Sequence, residues 1–185
     1  MEIKISSKQM LNILYVIAWI IFIGLCIKAG GFIFNSFFTI CINPEGAHHF
    51  WNDMDLSQLY LSGKSYFIQF TVLISVVTVL QALMFYWIVK ILHDKKLNLD
   101  RPFNSEVCKF IFRLSYISLV IGLVQLFGGM LLIAQLQSVH LSLPQSSQVS
   151  LREHEIWLFM GIILFVIAQI FKRGIELQEE NELTV

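Results

Sequence analysis

YFIQFTVLISVVTVLQALMFYWIVKILHDKKLNLDRPFNSEVCKFIFRL, residues 66–114, reads as a long apolar run, a short basic loop and an amphipathic lead into a second apolar run. The first run, residues 66–92, holds 27 residues and one charge, Lys90. At ~1.5 Å rise per residue a helix of that length crosses a ~30 Å hydrocarbon layer with tilt to spare. The loop behind it carries Lys95, Lys96 and Arg101. Basic loops stay on the cytoplasmic side, so this hairpin turns inside.

Three further runs of spanning character flank the hairpin, which predicts an all-α membrane protein of four antiparallel transmembrane helices forming a single integral-membrane domain over residues 1–185. The spans are expected at about residues 10–30, 66–92, 114–136 and 151–173, with a tail over 174–185. The totals agree: 56% of residues are hydrophobic and 14% charged, against roughly 25% charged in soluble domains. All three prolines (Pro44, Pro102, Pro144) fall in the predicted loops. Lys4, Lys8, Lys90, Lys95, Lys96, Arg101, Lys109, Arg113, Lys172 and Arg173 lie in predicted inner segments, and Lys28, Lys64 and Arg152 in outer ones. That sorting places both termini in the cytoplasm.

Helix ends are marked locally. Ser6 with Gln9 and Ser150 with Glu153 form capping-box pairs, starting helices near Ser7 and near Leu151. Asn104 is a predicted N-cap, and Lys172-Arg173-Gly174 is read as the close of the fourth span. Gly30-Gly31 predicts a kink, since one straight helix over residues 10–42 would measure ~50 Å. In the first outer loop, a short helix is expected near residues 55–61.

Small residues recur at helical spacing on the two middle spans. Thr71, Ser75, Thr78 and Ala82 form one stripe, and Ser115, Ser118, Gly122, Gln125 and Gly129 another. Such seams let helices approach closely, so the second and third spans are expected to form the tightest pair. Val107, Phe110, Ile111 and Leu114 make the entrance to the third span amphipathic, as a segment lying at the inner interface.

The chemistry-bearing residues point away from catalysis. No nucleophile stands near a base and no phosphate-cradling glycine loop is present, so no enzyme activity and no cofactor are expected. A domain-sized basic surface is also missing, which argues against direct nucleic-acid binding. His48, His49, Asp53 and Asp55 in one outer loop, with His140, Glu153, His154 and Glu155 in the other, offer donors for an extracytoplasmic metal or sensing site, though at no known ligand spacing. No ionisable group sits in mid-span by sequence, and Gln69, Gln81, Gln125 and Gln169 read as helix-packing polar groups. A small transporter or permeability factor would instead need an aqueous cavity reaching Gln81 and Gln125. At the inner face, Lys95, Lys96, Arg101, Phe103, Lys109 and Arg113 are expected beside the acidic tail, Glu176, Glu179, Glu180 and Glu182. Those groups can contact anionic lipid, pair with each other, or dock a soluble protein. No residue pattern assigns an oligomeric state.

The tail, residues 170–185 (IFKRGIELQEENELTV), resembles the ending of a bacterial membrane family known only as domain of unknown function 2975. The inner-loop run LNLDRPFN, residues 97–104, and the four-span plan are similar too, so the likeness runs from the second span to the end. The resemblance implies a multi-pass protein of the bacterial inner membrane, often encoded beside a small helix-turn-helix regulator, and supplies no catalytic residues. It favours a regulatory or signalling accessory that contacts such a regulator in the cytoplasm, with transport and metal sensing as alternatives.

Overall fold

The computed structural model describes residues 7–52, 54–94, 104–138 and 153–182, and everything in it is helix or short connection. The helices are α1 (Ser7–Cys41), α2 (Ser57–Ser62), α3 (Lys64–His93), α4 (Ser105–Ser138) and α5 (His154–Glu182), with a 3-10 turn at Pro44–Ala47. The four long ones are each long and apolar enough to cross a membrane.

α1 contains 35 residues, ~52 Å of helix, and its helical hydrogen bonding continues through Gly30-Gly31. A helical glycine costs only about 1 kcal/mol, and the ladder continues because the upper half of α1 has something to pack against. That partner is a folded cap, residues 43–63. Asn43 opens the 3-10 turn by accepting the Glu45 N–H at 3.0 Å. Phe50, Leu56 and Leu59 are buried together with Phe32 of α1 and Phe67 and Phe70 of α3. The rings interlock edge-on, Phe32 to Phe50 and Phe50 to Phe67 both at 5.6 Å and Tyr60 to Phe67 at 5.3 Å, an arrangement that adds to plain burial. The expected short helix is present as α2, but its apolar side belongs to this core.

Just before α2 the Asp55 carboxylate accepts the Ser57 N–H at 2.8 Å and lies 3.6 Å from His48. Its pKa is lowered by the Ser57 side chain first, then by the Ser57 backbone bond and by His48. A depressed carboxylate contributes stability above its unfolded pKa of about 3.9, and loses it as pH falls through the folded value. Asp55→Ala is expected to loosen the cap by about 0.5 kcal/mol, low because the group is exposed. Limited proteolysis within residues 43–63 should speed up in this variant at neutral pH. The difference from the parent should shrink as acidification passes below the unfolded carboxylate range.

α1 packs on α3, α3 on α4 and α4 on α5, while no packed interface joins α1 to α5 among the described residues. The closest pair is α4–α5, followed by α1–α3; the expected α3–α4 pair is the least extensive of the three. Side chains explain the correction. Ser115 Oγ donates to Gly161 O at 2.9 Å and Ser118 Oγ to Trp157 O at 3.0 Å, and Gly122 faces Leu158. The small-residue seam of α4 is therefore occupied by α5. Thr71 and Thr78 of α3 donate to their own helix, at Phe67 O (2.9 Å) and Ile74 O (2.8 Å), and so do not recruit a neighbour. Ala82 and Gly129 are buried and Ser75 is half-buried.

Two boundaries also differ from expectation. The amphipathic segment before the third span is no separate surface helix. It forms the first turns of α4, where the Asn104 side chain accepts the Glu106 N–H at 2.8 Å as predicted. Val107 and Cys108 are buried there. α5 does not close at Gly174 but runs to Glu182, because Arg173 reaches Glu176 at 3.1 Å and Glu180 at 3.7 Å along one face. Pairs three residues apart favour continued helix.

Candidate functional site

Contacts between neighbouring helices fix their relative heights. α1 meets α3 at Tyr15 with His93, Phe22 with Tyr86, and Ile40 with Lys64. α3 meets α4 at Leu73 with Gly128, and α4 meets α5 at Cys108 with Ala168 and Ser118 with Trp157. Followed across the bundle, this register brings Lys28, Gln81 and Glu153 to nearly one level, with Gln125 about one turn from Gln81 on the side of the cap. All four line a single cavity of about 510 Å³, inside the size range of small-molecule sites.

The cavity is lined by α1, α3, α4, the cap and the residue that precedes α5. Gly24, Lys28 and Phe32 come from one face of α1, and Phe70, Ile74, Val77, Thr78 and Gln81 from one face of α3. Gln125 of α4 forms part of the wall and is buried; Glu153 stands immediately before α5. The cap contributes Trp51, Asn52 and Met54. Asn52 has φ +46°, a left-handed backbone that asparagine tolerates better than most residues. Gly31 has no side chain to keep the Trp51 ring off α1, and that ring occupies the space a Cβ would take.

This layer was only half visible in the sequence. Gln81 and Gln125 stood out as polar groups in mid-span, but Lys28 looked like an interfacial residue and Glu153 like half of a capping box. In the fold both line the cavity, while Ser150, the other half of the capping box, lies outside the described residues. Exposed apolar side chains continue along α1 from Met10 to Ile42, so Lys28 falls near the middle of that belt. Among the described residues, neither Lys28 nor Glu153 has an ion-pair partner within 4 Å. An ionisable group within a membrane-spanning helix is costly and marks function more often than packing.

The terminal end of the bundle carries the residues expected to dock a partner. Lys95, Lys96, Arg101 and Phe103 lie outside the described residues, as does the side chain of Glu182. Lys109 pairs with Glu106 at 3.8 Å, and Arg113 and Glu179 are exposed. The α4–α5 register sets Glu176 and Glu180 beyond the first residue of α4, so the tail does not lie beside Lys109 and Arg113 as expected. Relative to the described part of α4, the end of α5 continues onward as a charged helix. Of the outer histidines and carboxylates, His48 and Asp55 approach each other, and no three His, Cys, Asp or Glu side chains gather among the described residues. His140 and Asp53 lie outside them.

Four apolar helices and a polar cavity within their bundle define a multi-pass α-helical membrane protein. Residues 41–185 match the model of the family described as protein of unknown function DUF2975, and the chain belongs to that family. The match includes the cap as well as the tail. No curated protein and no solved structure matches the chain.

Proposed function

We propose that the protein is a non-enzymatic regulatory accessory of the bacterial inner membrane that contacts a soluble helix-turn-helix regulator through its cytoplasmic end. The observation that carries this reading is the extension of α5 past the bundle as a preformed helix. Glu176, Glu179 and Glu180 line it, and Leu177 is exposed among them. A DNA-binding regulator presents a basic surface, which an acidic helix complements in charge. The basic residues of the inner loop hold that end in the cytoplasm.

Crosslinking in cells should recover a small soluble regulator with the full chain but not with a chain lacking residues 176–185. The same truncation should shift that regulator's target transcripts. Unchanged transcripts together with no recovered regulator would remove the reading. A transporter or permeability factor is the second reading, favoured by the cavity that reaches Gln81 and Gln125. Solute uptake into proteoliposomes that is lost in Gln81→Leu would move it to first place. Extracytoplasmic metal binding has less behind it, resting on the His48–Asp55 pair alone.

A further inference from the structure

We infer that the cavity beneath the cap binds a small zwitterion carrying an apolar group, of the amino-acid or short-peptide class. This goes beyond docking at the cytoplasmic end and holds whether or not a regulator binds there. Three properties of the cavity select the ligand. It contains one cation and one anion, Lys28 and Glu153, and no ion pair is formed by either among the described residues. Both side chains are half-buried, so each charge is partly withdrawn from water, and a molecule bearing both a carboxylate and an ammonium group satisfies both at once, the carboxylate facing Lys28 and the ammonium Glu153.

The second property is the placement of neutral polar groups. Amides of Gln81 and Gln125 lie on the adjoining helices, and an amide both donates and accepts. They can therefore meet either end of a zwitterion or a peptide bond between its ends. The third is the apolar wall of Phe32, Trp51 and Phe70, which suits an aliphatic or aromatic side chain and gives no partner to a polyanion. A net anion would leave Glu153 opposed, and a net cation Lys28. Both charges are thus exclusion devices as well as ligands.

Full-length protein in detergent micelles, titrated with L-phenylalanine, phenylethylamine and 3-phenylpropionate, separates these contributions. Saturable binding, read by equilibrium dialysis and by a rise in unfolding temperature, is expected for phenylalanine. Each single-charge analogue should bind about tenfold more weakly, the scale of one lost charged hydrogen bond. Lys28→Gln should abolish the preference for phenylalanine over phenylethylamine, and Glu153→Gln its preference over 3-phenylpropionate. Gly24→Leu is the control for folding. A Cβ at Gly24 meets nothing within 4 Å, so the helix accepts the side chain while the cavity loses volume. That variant should keep its melting temperature and lose binding. Equal binding of all three compounds, or saturable binding of none, would overturn the inference.

Discussion

Gly122→Ile and Gly161→Ile should each lower the unfolding temperature more than any other single change in the spans, by prising α4 from α5. A Cβ on Gly122 would lie 2.7 Å from Leu158 Cγ and 2.9 Å from its backbone nitrogen. One on Gly161 would lie 2.7 Å from Leu119 Cγ and 3.0 Å from its backbone nitrogen. The two contacts are reciprocal, and a backbone atom cannot rotate aside as a side chain can. Relief requires moving one helix, which stretches the Ser115–Gly161 and Ser118–Trp157 hydrogen bonds. Overpacking costs about 1–3 kcal/mol and each interhelical bond ~0.6 kcal/mol, so a loss of about 3 kcal/mol is expected. Gly128→Ile is the comparison, since its Cβ would meet only the flexible end of Leu73. Thermal unfolding of the three variants in micelles decides the matter. If Gly128→Ile proves the most damaging, the α3–α4 contact is the principal one after all.

That result bears on how far a single sequence reaches. Span number and the N-cap at Asn104 were legible, because each is written within one helix length. A small-residue seam is written the same way, and Ser115, Ser118 and Gly122 were identified correctly as an interface. Which helix fills an interface is a different kind of fact. Both α3 and α5 run antiparallel to α4 next to it in sequence, and periodicity on α4 is the same for either. The distinguishing feature lay on the partners. Gly161 opens the α5 backbone to a hydroxyl, whereas Thr71 and Thr78 spend theirs on their own carbonyls.

The polar layer of the cavity was hidden for a related reason. Lys28 and Glu153 are 125 positions apart and belong to helices that share no packed interface. Only the chain of registers α1 to α3, α3 to α4 and α4 to α5 brings them level. Hydropathy placed Lys28 at a membrane boundary by assuming that the first span ends at the glycines. α1 continues as helix to Cys41, and Lys28 lies on the face of it that lines the cavity.

The cap supplies the sharpest contrast, between two adjacent residues. Gly31→Ala should detach the cap, while Gly30→Ala should leave it in place and slightly stabilise the helix. A Cβ on Gly30 has open space around it, and alanine is favoured over glycine in a helix by roughly 0.5–1 kcal/mol. A Cβ on Gly31 falls within the Trp51 indole. Trp51 cannot shift by a few tenths of an ångström, because Phe32 lies 6.0 Å from its ring and is itself locked to Phe50. The indole must leave, and with it the roof of the cavity. Losing that burial costs about 2–3 kcal/mol. Gly31→Ala should therefore release residues 50–54 to protease and abolish any ligand binding under the cap, while α3, α4 and α5 stay assembled. Trp51→Ala in the Gly31→Ala background tests the cause. With the ring removed there is nothing left to collide with, so the double variant should be no less stable than Trp51→Ala alone. Additive losses in that cycle would mean that the glycine serves the α1 backbone rather than the indole.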